Sequence, residues 1–201
     1  NETIQLNSNE LSDILRNNNF QDSKSRYVIL NSGIIDETKY LNETDFNYNN
    51  SIEGKIVYSN GINLNEDKRN KIINIYQNNP TEWILFKNIN LKEWTINFFG
   101  STNSYNYSTQ TQRFNNHGLT GCLNFFNSSF DGDIINIFDA KCEDGLNIVN
   151  SSGNLDSINV YNAFSDAFDF DFSNLDVDKL VVENAGNDCL DLSGGVYSIS
   201  N

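Results

Sequence analysis

Methionine is absent from these 201 residues, and proline and histidine occur once each. Without a methionine, Asn1 is no initiator; it is a processed terminus or a cut within a longer chain. Cysteine is scarce as well: Cys122, Cys142 and Cys189 fit neither a four-ligand zinc site nor a disulfide-dense scaffold. No apolar run approaches the ~18 residues that a membrane span needs, which excludes helical insertion in a bilayer. Positive charge is missing from the second half. Residues 116–201 hold 14 acids against Lys141 and Lys179, whereas residues 1–115 are nearly balanced, with 13 acids and 11 bases. That acidic half repels phosphate backbones and argues against nucleic acid as a partner. It also repels uronic-acid polymers unless a cation intervenes.

What is abundant is asparagine, together with phenylalanine, tyrosine and isoleucine spread along the whole chain. Length and composition suit one sizeable core and no long disordered stretch. Six Asn-x-Ser/Thr sequons begin at Asn1, Asn42, Asn49, Asn106, Asn127 and Asn150. In so asparagine-rich a chain they carry little information about glycosylation.

A repeat organises the C-terminal half. "TGCLNF", "EDGLNI", "SDAFDF" and "NDCLDL" are versions of one phrase, with central residues Leu123, Leu146, Phe168 and Leu190 separated by 23, 22 and 22. A second phrase ends at Ala140, Ala163 and Ala185. An earlier copy, "FKNINLKEWTINFFG", matches "FFNSSFDGDIINIFD" at an offset of 39, one coil plus an insertion. Each unit alternates apolar and polar residues with a period of two, the mark of strands, between Asn-, Ser-, Gly- and Asp-rich corners. A strand pair cannot bury its apolar face alone, so the units must stack. A period near 22 without a helical return segment predicts an all-β parallel β-helix with ~22-residue coils. Residues 1–82 form its N-terminal cap and irregular coils. Residues 83–201 form the regular coils, with an insertion loop at 101–116, and the chain is expected to continue beyond 201. "NELSDILRNNNF" places Leu11, Ile14 and Leu15 on one face of a short capping helix. "GKIVYS" and "KIINIY" read as strands, and residues 36–53 and "NLNEDKRN" as surface loops. Trp83 reads as core and Trp94 as core or rim.

Stacking turns the acids into files. One column runs Gly121, Asp144, Asp166, Asp188; an outward one runs Asn124, Asn147, Asp169, Asp191; a third runs Asp139, Asn162, Asn184. Phe168, Phe170 and Phe172 fall on the opposite, apolar face. Amides stack by hydrogen bonding along a column, but carboxylates about 4.8 Å apart repel by about 3 kcal/mol at an effective dielectric of 20. Two readings follow. Asp144, Asp166, Asp169, Asp188 and Asp191 supply oxygens to calcium, or each Asp accepts backbone N–H bonds at its own corner. The insertion gathers Tyr105, Tyr107, Arg113 and His117, residues suited to binding a sugar, or else it is a solvated loop. Cys122 and Cys189 share a column three coils apart and cannot bond, whereas Cys122 and Cys142 lie on adjacent coils near a corner where a disulfide is feasible.

"SDAFD" followed 22 residues later by "GNDCLDLSGG" resembles successive coils of the polygalacturonase family, right-handed β-helices of the pectin-lyase-like superfamily. The resemblance implies that the parallel β-helix is right-handed, and it implies an inverting hydrolase in which Asp166 and Asp188 are the catalytic acids. The family's first aspartate of the second motif is Asn187 here, and its later motifs lie beyond this chain. "LTGC", "CEDG" and "GNDC" are also similar to β-helix regions of bacterial surface proteins with a CotH-like kinase domain. Two functions are expected. The first is an exported module that binds or processes a polysaccharide, outside the cell or at its surface. The second is a structural fibre, stalk or adhesin that stacks on copies of itself.

Overall fold

The computed structural model describes residues 41–46, 54–103, 115 and 118–200. It is a parallel β-solenoid of about 5 turns. No helix occurs among the described residues, and the expected capping helix lies outside them.

The first coil is antiparallel. Strand β1 (Leu41–Asp45) pairs with β2 (Lys55–Ser59), and β2 pairs with β5 (Ile84–Lys87). Strand β3 (Ile62–Asp67) forms a hairpin with β4 (Ile72–Gln77). The strands β1 and β3 correct the expectation of surface loops over 36–53 and "NLNEDKRN". Paired this way, Ile62 is buried while Asn63 is exposed, so a segment polar in composition still has one face to bury.

From there the strands are parallel. One face of the solenoid carries β5, β7 (Gly121–Phe126), β9 (Asp144–Val149), the first half of β11 (Asp166–Val177) and the start of β13 (Asp191–Ile199). A second face carries β4, β6 (Thr95–Phe99), the latter parts of β8 (Ser129–Phe138) and β10 (Ser152–Ala163), and β12 (Leu180–Ala185). Short runs such as Ser152–Leu155, paired with Asn174–Val177, bridge the two. The offset of 39 is borne out: Ile84 pairs with Leu123, and Thr95 with Ile134. Leu146 lies over Phe168, and Ile148 over Phe170 over Leu192.

The interior follows from that registry. Phe86, Phe125, Leu123, Leu146, Phe168 and Phe170 have no solvent exposure, and Phe86 stacks on Phe125 at 4.9 Å between ring centroids. Trp94 is core, packed edge-on against Phe46 at 5.2 Å. Trp83 is buried too, but in a smaller cluster with Val57, Leu85, Leu119, Phe126 and Val149, separate from the main interior.

Phe172 departs from the expected alternation. It occupies the corner position of Asn88, Asn127 and Asn150, where every residue is left-handed, and its own φ is 51°. Asparagine tolerates that conformation because its short amide can bond locally; an aromatic residue there is strained. Gly194 takes the same position in the next coil, with φ 54°.

Cys122 and Cys142 form a disulfide, with their Cα atoms 5.3 Å apart, and Cys189 is free and exposed. The buried amide of Gln77 braces this region. It donates to the carbonyl of Glu82 at 2.7 Å and accepts from the Ser101 N–H at 2.9 Å, where the insertion leaves the stack.

Candidate functional site

The acidic files form as registered. Asp144 is the strand partner of Asp166, and Asn147, Asp169 and Asp191 follow in line. Their environment is not the expected one. The supposed outward column is buried at Asn124, Asn147 and Asp169, at most 4% exposed, and half-buried at Asp191; in the corner column Asp144 and Asp166 are at most 5% exposed, while Asp188 is exposed. The outer surface of this face grades along the stack, from Val57 and Leu85 through Asn124 and Asn147 to Asp169 and Asp191. Alternation therefore does not separate wet from dry here, because both sides of the sheet are covered.

The polar side chains in these files mostly serve backbone. Asn124 donates to the carbonyls of Ile84 and Gly121 at 3.0 and 2.7 Å, and Asn147 donates to the Asp169 carbonyl at 3.2 Å. Asp166 accepts the N–H of Asp188 at 2.9 Å and the side-chain amide of Asn187 at 2.7 Å. That amide also reaches Asp188 Oδ2 at 3.3 Å. The two carboxylates are thus bridged by one nitrogen, with their oxygens closer than the sum of those two distances. Inverting glycoside hydrolysis needs ~6.5–9.5 Å between its carboxyl groups, room enough for a water. The place where the polygalacturonase motif has aspartate is taken here by the bridging Asn187. What the geometry performs is a corner cap, holding one coil to the next. Among the described residues no three carboxylate, histidine or cysteine groups are placed to hold a metal ion. Tyr105, Tyr107, Arg113 and His117 lie outside the described residues.

Asp133 escaped the sequence reading. It stands in an otherwise apolar column beside Leu155 and Val177, wholly buried, and accepts the N–H of Trp94 at 2.7 Å and of Asp131 at 2.9 Å. Burial pushes its carboxyl up to about 7 against the pull of those two bonds. The repeat could not flag it, since the offset of 23 aligns Asp133 with Asp156 and only a register shift in the pairing sets it beside Leu155.

The second face is organised differently. Asn97 donates to Asn74, Asn136 to Asn97 and Asn159 to Asn136, at 2.9, 2.9 and 2.8 Å. Beside this amide ladder the rings of Tyr76, Phe99, Phe138 and Tyr161 stack at 5.0, 5.3 and 5.2 Å, nearly parallel. A third outward column holds Ile72, Thr95, Ile134 and Ser157. Over these four coils the face bears no Asp, Glu, Lys or Arg, in a chain of net charge −14. Charge returns at both ends of the sheet, at Asp67, the partner of Ile72 in β3, and at Glu183, the partner of Tyr161 in β12. The inner rings have both faces covered by neighbours, so they offer edges to solvent rather than platforms.

Further ladders hold the corners. Asn127 donates to Asn88 at 2.7 Å and Asn150 to Asn127 at 3.2 Å. Asn162 donates to Asp139 and Asn184 to Asn162, each at 3.0 Å. A buried serine file passes from Ser128 to Ser151 to Ser173, each hydroxyl accepting the N–H of the serine one coil earlier. It ends where Tyr197 Oη accepts the Ser173 N–H at 3.2 Å. Comparison with protein-family models, curated proteins and solved structures finds no significant match, so what this chain does is read from its own geometry.

Proposed function

We propose that this chain is a non-catalytic β-solenoid module of an exported protein, and that its coils extend a stalk or fibre by stacking on a further β-coil. One observation carries the reading. The interior columns run unbroken through the parallel coils, from Phe125 to Ile148, Phe170 and Leu192 on one face and from Leu155 to Val177 and Ile199 at the next. Registry that repeats in this way lets one coil stack on the next, within a chain or between chains. Export is supported by the disulfide, which an oxidising compartment permits. The acidic files act as corner caps in this reading, and it needs no calcium; a rise in melting temperature at millimolar calcium would support the cation instead.

The test is sedimentation velocity over a range of concentrations, with a second copy as the partner. Association that grows with concentration and is lost in Leu192→Asp and Ile199→Asp is the expected result. A single monomeric species at every concentration would overturn self-stacking. A second reading, binding of a polysaccharide on the flank, is favoured by the uncharged amide-and-ring face.

A further inference from the structure

We propose that the outer surface of β4, β6, β8 and β10 is a binding site for a neutral polysaccharide lying along the stack, with the amide ladder as its recognition element. The proposal rests on the second reading above and names its site, which is distinct from the acidic files.

Charge selects the partner class. A surface without formal charge on a chain of net charge −14 neither attracts a cation-rich partner nor tolerates a polyanion. A protein partner needs a desolvated apolar anchor. On this face Tyr76 is the one exposed large hydrophobic side chain, at 46%, and the remaining outward side chains are half-buried against each other.

The amides supply the chemistry. A carboxamide has two N–H donors and two acceptor lone pairs. Each rung of the ladder uses one N–H of one asparagine and one lone pair of the next. Asn159 commits its other N–H to Ser157 Oγ at 3.2 Å. Asn97 and Asn136, in the middle, keep a second N–H and a second lone pair for an outside partner. Such donor and acceptor pairs repeat at the coil spacing of about 4.8 Å. A polyhydroxylated, uncharged chain has hydroxyls that both donate and accept along its length, and it can meet successive rungs without burying a charge. The ladder also fixes the amides in advance, which lowers the ordering cost of binding.

The test is affinity electrophoresis in gels containing a soluble β-glucan, xyloglucan or polygalacturonate, with pull-down on cellulose and chitin. Retardation by at least one neutral polymer and none by polygalacturonate is expected. Asn97→Thr with Asn136→Thr keeps strand-forming residues but removes the amides and should weaken binding at least tenfold, with melting temperature measured alongside. If that variant does not fold, Thr95→Lys with Ile134→Lys, which leaves the ladder intact and puts charge beside it, should give the same loss. Wild type that binds none of the neutral polymers overturns the polysaccharide reading as a whole. Binding that persists in the folded variants overturns this site alone, and equal binding of polygalacturonate overturns the charge argument.

Discussion

Raising the pH through neutrality should destabilise this protein through one residue. Asp133 is wholly buried and its carboxyl is raised from 3.8 to about 7, chiefly by burial. The folded state therefore keeps a proton that the unfolded chain has already released, and stability falls as pH rises across that window. The contribution is fully present below the unfolded value, near 3.8, and is lost as pH passes through about 7. At about 1.4 kcal/mol per unit, some three units give a loss of about 4 kcal/mol. For a chain of this size that amounts to a drop on the order of 10 °C in melting temperature. The chain carries many other carboxyl groups, so the measurement is a difference: urea unfolding of wild type and Asp133→Asn from about pH 4 to about pH 8. Asparagine has a single acceptor oxygen, so either the Trp94 or the Asp131 N–H loses its partner. That costs the variant about 1–3 kcal/mol at acid pH. The variant lacks the titration, so the two stability curves should converge with rising pH and then cross. Parallel curves over the whole range would refute a buried, proton-holding Asp133.

Replacing Cys122 and Cys142 together by serine should cost about 3 kcal/mol in urea unfolding, the value for closing a loop of about 20 residues. A reductant should lower wild type by the same amount and leave the double variant unchanged. At Asn127, whose φ is 52°, alanine loses two ladder bonds and adds a left-handed penalty of about 1–2 kcal/mol, whereas glycine loses the bonds alone. Asn127→Gly should therefore unfold at higher urea than Asn127→Ala; equal midpoints would remove the left-handed corner from the explanation.

The period near 22 was enough to place Leu146 over Phe168 and Phe170 over Leu192, because in a solenoid identical neighbours meet coil after coil and the repeat itself encodes the contact. The same logic put Cys122 near Cys142, and aligned Asp139 with Asn162 and Asn184. What periodicity cannot encode is what lies against the outside of a sheet. Strand alternation marks two faces, but it does not say whether the second face is wet, and here Asp169 and Asp171 are buried along with Phe168 and Phe170. Nor does alternation reveal a corner inside a strand phrase. "SDAFDFDFSN" bends at Phe172, which the tertiary structure assigns to the left-handed asparagine column rather than to the core. Antiparallel closure of the first coil and the burial of Asp133 likewise escape periodicity, the one because its strands precede the repeat, the other because a register shift sets Asp133 beside Leu155. The sequence by itself determined which residues stand above which, since registry is a local and repeated property. Only the tertiary structure decided which of those columns meet solvent and which carry a proton, since burial depends on everything that packs around them.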